Sequence, residues 1–289
     1  MISKNKLQEL YIEKKLTTYE IAEMYNVHRK TVSRWLKKSG IDINPKQRKF
    51  ELIKKVPLTK KQRELVFGTV LGDGCIAPHG RKNKSYRLLI SHSEKQKELV
   101  FWKKEILGNF VNVVNKREDK RGNSIMYNFS SVTHNDFSYF YKLFYENNKK
   151  VIKQDMIHLL TPFALAVWIM DDGSRYQKKN TMRISTDSFT KEENELLKSF
   201  IKINFDINAK VCEYTRNDNK FYYLSFNVRN AALLSDIIRP YMIECVNYKL
   251  CPSRSSTTKR QTSNPEPVQF NLDWRSEWNL LKKKISSRR

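Results

Sequence analysis

Two aspartates stand at the ends of matching apolar runs. Val66-Phe67-Gly68-Thr69-Val70-Leu71-Gly72 leads into Asp73-Gly74, and Leu165-Ala166-Val167-Trp168-Ile169-Met170-Asp171 leads into Asp172-Gly173. Each run is too short for a bilayer, which needs about 20 apolar residues. Each reads as a buried helix stopped by the glycine at its C-terminal cap. Gly68 and Gly72 lie four apart and share one helix face, while Ala164 and Ala166 keep the second helix slim. Slim faces let the two helices pack closely, so Asp73 and Asp172 emerge side by side at the negative poles of both helices. Carboxylates so placed repel each other unless a cation lies between or beside them. A hard, oxygen-seeking ion such as Mg2+, or Mn2+ in its place, suits them. Either copy alone reads more simply as a core helix finished by an Asp-Gly turn. The repeat, at domain-like spacing in a very basic chain, points to chemistry.

The same order of elements follows each run. After the first comes a loop from Ala77 to Lys84 carrying Arg81, Lys82 and Lys84. Hydrophobic periodicity then predicts a strand at Tyr86–Ser91, an amphipathic helix from Glu94 to Leu107, a hairpin of Val111–Arg117 with Ile125–Val132, and a helix from His134. After the second run the series repeats: a strand at Met182–Thr186, a helix from Lys191, a hairpin of Ala209–Thr215 with Phe221–Val228, and a helix from Arg229. Read from the residues, each half is a helix, a strand, a helix, a hairpin and a helix. Strand alternation leaves one sheet face to the helices and one free. The free sets are predicted to hold Arg87, Lys116, Arg117, Arg183, Lys210, Arg216 and Lys220 with Tyr127, Asn128, Tyr214, Tyr222 and Asn227, a composition suited to base edges in a major groove. An ordinary solvated sheet face is the plainer alternative.

Ahead of this duplicated body, residues 1–44 read as a small all-α unit. Leu7, Leu10 and Tyr11 recur at helical spacing, Thr17 or Thr18 caps a second helix with Ile21 and Ala22, and Asn26-Val27 turns into a third helix from about Arg29. Leu16 to Leu36 resembles a helix-turn-helix, whose second helix enters the major groove. Val32, Trp35 and Leu36 face inward, leaving His28, Arg29, Lys30, Ser33, Arg34 and Lys37 exposed for DNA. Residues 45–57 read as a basic linker. Residues 253–289 combine a Ser/Thr/Pro-rich connector with a basic amphipathic helix marked by Trp274, Trp278, Leu281 and Ile285. That helix either docks on the body or clamps DNA or a partner.

Composition narrows the partners. The 289 residues carry 55 Lys and Arg against 30 Asp and Glu, a net charge of +25, which usually signals a nucleic acid. Neither a signal peptide nor a membrane anchor is evident. The four cysteines show no paired spacing and the five histidines no zinc spacing, which suits reduced thiols in an intracellular protein. The expected setting is the cytoplasm or nucleoid of a bacterium or phage-infected cell, with an organelle matrix as the alternative.

The paired runs resemble the motifs of LAGLIDADG homing endonucleases of the single-chain, two-motif type, over roughly Leu58 to Pro252. The second motif is the closer match, Leu160-Thr161-Pro162 leading into Leu165-Ala166 and ending Met170-Asp171-Asp172-Gly173-Ser174. The first has Phe67 where the family often has alanine and Gly72 in place of the penultimate alanine. The resemblance implies an α+β fold of two pseudo-symmetric αββαββα-like halves, 58–150 and 151–252, whose antiparallel sheets form a saddle over DNA. It implies a monomer that hydrolyses both strands of a long, asymmetric DNA site, with Asp73 and Asp172 holding divalent ions and the Gly72 and Asp171 carbonyls facing them. It further implies that Lys150 and Lys249 lie beside the active sites as catalytic support. Two rivals stay open: an RNA-binding maturase acting on intron RNA, and a DNA-binding regulator that has lost cleavage.

Overall fold

The computed structural model describes residues 2–14, 16, 18–41, 53–54, 56–80, 85–119 and 124–253. Arg81, Lys82, Lys84, most of the 45–57 linker and the C-terminal stripe from Trp274 to Ile285 lie outside them. The chain divides into two compact units between Val56 and Pro57.

The first unit contains α1 (Lys4–Gln8), which continues through a π-helical turn at Glu9–Glu13, then α2 (Thr18–Met24) and α3 (Arg29–Lys38). Leu7, Leu10, Tyr11, Ile21, Ala22, Val32, Leu36 and Ile41 form its core. Asn26 takes a left-handed conformation (φ 48°) between α2 and α3, a backbone geometry that Asn tolerates better than most residues. His28 caps α3, its Nδ1 accepting from the Lys30 N–H. Trp35, expected inside, is only partly buried, and Ser33, expected exposed, is half-buried.

In the second unit, α4 (Lys60–Leu71), α5 (Lys97–Leu107) and α6 (Asn135–Phe144) belong to the first half. The second half has α7 (Pro162–Asp172), α8 (Lys191–Phe205) and α9 (Val228–Ile238). Thr59 starts α4 with a full capping box, exchanging hydrogen bonds with Gln62. Thr59-x-x-Gln62 is the sequence pattern of such a box. Thr161 caps α7, and Pro162 occupies its first turn, where no amide donor is needed.

Among the described residues the sheet of each half has four strands, against the three read from the residues. The first sheet runs β1 (Cys75–His79), β2 (Ser85–Ser93), β4 (Ser124–Ser130), β3 (Asn115–Asp119). A short hairpin, β5 (Tyr145–Glu146) with β6 (Lys149–Lys150), follows α6. The second sheet runs β7 (Gly173–Tyr176), β8 (Thr181–Ser185), β10 (Asn219–Phe226), β9 (Lys210–Arg216). All pairings are antiparallel. The strands missed are β1 and β7, so both halves are αββαββα, as the resemblance implied. Ala77, Pro78 and His79 read as the start of a loop; β1 is an edge strand, where proline is tolerated. Gly-Ser-Arg-Tyr is too short to show a period.

Helices α4 and α7 form the centre. Residues Leu65–Leu71 and Phe163–Asp171 are buried throughout, as expected of helices apolar on all sides. A Cβ on Gly68 would lie 2.3 Å from the Ala164 carbonyl oxygen and 2.8 Å from the Val167 Cβ. The slim-face expectation therefore holds at the level of backbone against backbone. The capping expectation holds at Gly173, the C-cap of α7, but in α4 the cap is Gly72 rather than Gly74, and with φ −94° at Gly72 and −70° at Gly173 neither cap is left-handed. Both positions need glycine for proximity, since a Cβ on Gly72 would lie 2.6 Å from the Asp171 Cβ. Gly68→Ala is expected to destabilise the chain by about 1–3 kcal/mol, towards the upper end because the opposing atom is backbone. Urea unfolding measures it.

Candidate active site

The C-terminal ends of α4 and α7 meet at Gly72 and Asp171, so two sets of unsatisfied carbonyls face one region. Two lysines occupy it. In the β5–β6 hairpin, Asn147 (φ 48°) and Asn148 (φ 63°) make the tight turn, of the kind that suits a two-residue loop. The turn delivers Lys150, whose Nζ donates to the Gly72 carbonyl at 2.9 Å. Lys249 ends the 3-10 turn Glu244–Lys249 and is buried. Its Nζ donates to the carbonyls of Met170 (2.6 Å) and Asp171 (2.8 Å). Each lysine thus caps one helix, where a cation is favoured by the helix dipole. The Gly72 and Asp171 carbonyls, read as facing metal ions, are therefore held by ammonium groups. Burial lowers the pKa of both lysines, and the surrounding aspartates, Asp172 first at Lys150 and Asp171 first at Lys249, oppose it.

The two motif acids sit beyond these carbonyls. Asp73 is about half exposed, with 46% of its side chain accessible. Asp172 is more enclosed. Burial, then the charges of Asp73 and Asp171, push its carboxyl up to about 7. That repulsion brings the two acids into one electrostatic site, as the sequence argument required.

Asp171 departs from its expected role. Its side chain is fully buried and takes the Lys103 ammonium on both oxygens, at 2.6 and 2.7 Å; the Asp73 backbone N–H donates to it as well. With both oxygens engaged by Lys103, its carboxylate has a structural role in tying α7 to α5. Lys103 comes from α5 in the first half and Asp171 from α7 in the second, so the pair ties the halves together. Beside it lies His92, on β2, almost completely buried. Its Nδ1 is 3.5 Å from Asp73 Oδ2 and its Nε2 3.6 Å from Asp171 Oδ1. Burial, then the Lys103 charge, pulls its pKa down to about 4 despite Asp73, so the ring is neutral near pH 7. Ligand atoms of Asp73, His92 and Asp171 all lie within 4.8 Å of one another.

Neither Lys103 nor His92 was singled out from sequence. Both signals were present: Lys103 falls on the stripe of Leu99 and Leu107 in α5, and His92 continues the alternation of Leu88 and Ile90 in β2. A charged or polar residue on a buried stripe is one that needs a partner.

The strand registers sort the predicted DNA-facing residues. Paired residues share a face, and Arg87, Arg117 and Asn128 lie opposite the apolar set of Leu88, Ile90 and Phe129. In the second sheet Arg183, Lys210, Arg216 and Tyr214 lie opposite Met182, Ile184, Leu224 and Phe226. Phe221 and Tyr223, not predicted, join them: the Arg216 guanidinium lies 5.3 Å from the Phe221 ring centre and that of Arg183 5.7 Å from the Tyr223 ring centre. Lys116, Tyr127, Lys220 and Tyr222 belong to the other face, and Asn227 caps α9. Tyr127 contacts Phe101 of α5, and Lys220 pairs with Glu213. Their misplacement is a one-residue error in phase, which inverts every side chain of a strand. In the first unit, Arg29, Lys30, Arg34 and Lys37 are exposed on α3, and Arg29 donates to the Tyr19 hydroxyl at 2.6 Å.

Lys103→Met would leave a buried, uncompensated carboxylate and is expected to cost about 3–5 kcal/mol. Adding Asp171→Leu should recover most of that loss. A double-mutant cycle followed by urea unfolding measures the coupling.

Comparison with known proteins agrees with this arrangement. The LAGLIDADG DNA endonuclease family profile matches residues 63–234, and a homeodomain-like profile matches residues 7–42. The DNA endonuclease I-ChuI of Chlamydomonas applanata is 27% identical over 67% of this chain and 95% of its own length. The cytochrome b mRNA maturase bI2 of Debaryomyces hansenii is 29% identical over 67% of this chain and 75% of its own. The structure of the homing endonuclease I-WcaI bound to its DNA recognition sequence superposes with a TM-score of 0.60 and 27% identity, covering 68% of this chain and 88% of that one. With its matched acids, paired helices and duplicated αββαββα halves, the chain belongs to the LAGLIDADG DNA endonuclease family.

Proposed function

We propose that this chain acts as a monomeric, divalent-metal-dependent homing endonuclease that hydrolyses both strands of a long, asymmetric DNA site. The carrying observation is the convergence of Asp73 and Asp172 at the joined ends of α4 and α7, where burial first and the Asp73 charge second push the Asp172 carboxyl up to about 7. The donor set suits a hard cation such as Mg2+ or Mn2+. When bound, such an ion supplies Lewis-acid charge at a scissile phosphate.

The chain's own residues set up the rest. Asp73 and Asp172 offer one carboxylate to each strand. Lys150 and Lys249, anchored on backbone carbonyls, place fixed positive charge where the phosphate gains negative charge in the transition state. Arg87, Arg117, Arg183, Lys210 and Arg216 line the open sheet faces, where bidentate arginines read guanines. The α3 residues Arg29, Lys30, Arg34 and Lys37 add a second DNA-binding module. The similarity to a maturase supports intron RNA as a second partner; retention of both motif acids favours cleavage.

Asp73→Asn and Asp172→Asn should each abolish double-strand cleavage while leaving DNA affinity nearly unchanged, as read by gel shift and cleavage of the same duplex. Double-strand cutting at the wild-type rate by either variant would refute their roles.

Asp172 also sets a pH dependence. Its folded pKa lies above its ordinary value of 3.8, so the neutral form is favoured in the fold and its contribution to stability falls as pH rises from about 4 towards about 7. A cation needs the ionised form. Metal affinity should therefore rise with pH through about 7 and then level off, with release of about one proton per ion at about pH 6 and almost none at about pH 8.5. Calorimetry in buffers of different ionisation enthalpy reads that difference.

A chain beginning near Lys49 retains both motifs and should cut at the same phosphates, bind more weakly and protect a shorter footprint, because tethering the two modules raises their joint affinity. Arg29→Ala with Arg34→Ala should reproduce the loss in the full chain. Footprinting and cleavage mapping on one duplex test both.

A further inference from the structure

The two halves match in acids and in capping lysines but differ beside the acids. In the first half the helix-facing set of β2 runs Leu88, Ile90, His92; in the second the corresponding set runs Met182, Ile184, Thr186, all buried. The Thr186 hydroxyl is bonded to Asn194 and to the Tyr222 carbonyl. His92 is different. Its Nε2 is buried without a hydrogen-bond partner, its Nδ1 faces Asp73, and the Gln96 side chain stands beside the ring as a further polar neighbour.

We propose that His92 is a nitrogen ligand to a divalent cation shared with Asp73, which makes the first centre a mixed nitrogen–oxygen site and leaves the second an oxygen-only site. The inference rests on the nuclease reading for the role of Asp73 as a metal ligand.

The geometry carries it. Two ligand atoms about 2.1 Å from one ion and about 90–110° apart stand about 3.0–3.4 Å from each other. The Asp73 Oδ2 to His92 Nδ1 separation is 3.5 Å. That is too long for a good direct hydrogen bond and close to the spacing of two ligands around a cation. A ligating histidine needs its other ring nitrogen protonated and oriented, usually by a carboxylate. Asp171 stands on that side, 3.6 Å from Nε2, where its charge favours a proton on Nε2 without a direct hydrogen bond. Lys103 holds both Asp171 oxygens, which fixes the carboxylate in place beside the ring. A proton on Nε2 leaves the Nδ1 lone pair directed at Asp73. The order is then cation, His92, Asp171, Lys103, with each group's role set by the next.

A nitrogen donor shifts preference towards borderline cations such as Mn2+, Co2+ and Zn2+. The two centres of one molecule would then differ in metal preference, which an oxygen-only pair would not show.

The test uses the full chain with Mn2+ alone and reads electron spin echo modulation, which detects directly bound nitrogen without any cleavage. Wild-type protein should show 14N modulation that is replaced when only its histidines carry 15N. The modulation should vanish in His92→Gln and persist in His158→Gln and Asp172→Asn. Bound Mn2+ without nitrogen modulation in the wild type, or modulation surviving in folded His92→Gln, would overturn the proposal. The isotope arm needs no variant, so a folding defect cannot hide the answer. Equilibrium dialysis separates the two readings. If Asp73→Asn and Asp172→Asn each lower the Mn2+ bound while nitrogen modulation is absent, the nuclease centre stands and this ligand falls. If neither lowers it, both fall.

Discussion

The contact on which the structure depends is the one where α4 meets α7 with almost no side chain between them. Gly68 lies against the Ala164 carbonyl and Gly72 against Asp171. Close packing of two apolar helices is favourable by dispersion and burial, but here it also fixes where the helices end. Because both stop at the same level, their free carbonyls and their following acids crowd into one small region. The repulsive cluster follows from a packing solution that is otherwise stable.

Crowding like charges and carbonyl dipoles carries a cost, and the surrounding elements offset it with cations. Lys150 arrives on a hairpin after α6, and Lys249 on a 3-10 turn after α9. Lys103 arrives on α5. The first two neutralise helix ends through backbone oxygens. The third neutralises Asp171, a buried carboxylate that would otherwise be intolerable. Neither Asp73 nor Asp172 receives a lysine hydrogen bond of the kind that holds Asp171 among the described contacts, and burial with the neighbouring acids, outweighing the Lys150 charge, pushes Asp172 up to about 7. Those two acids are the ones that remain for a cation.

The halves are alike in topology and unlike in detail. Gly72 in the first motif answers to Asp171 in the second, and that exchange places a carboxylate on one side of the interface only. Lys103 and His92, both from the first half, gather on it. A duplicated fold thereby acquires a one-sided polar cluster linking the halves, and its two centres become chemically distinct.

Much of this was legible from residues alone. The two motif runs, the small residues at 68, 72, 164 and 166, and the repeated order of elements determine that two helices pack and that Asp73 and Asp172 converge, since helix periodicity leaves no other face for those residues. Lys150 and Lys249 were legible only by resemblance. The phase of the strands was not legible: Lys116 and Lys220 were placed on the wrong face because a short, mixed strand gives no internal sign of its register, which pairing alone decides. Strands β1 and β7 were hidden by Pro78 and by brevity. The pairing of Asp171 with Lys103, the placing of His92 between two acids, and the capture of the Gly72 and Asp171 carbonyls by lysines were decided only by tertiary structure. Those contacts join residues far apart in the chain, and a local pattern can mark a buried polar residue as needing a partner without saying which one it finds.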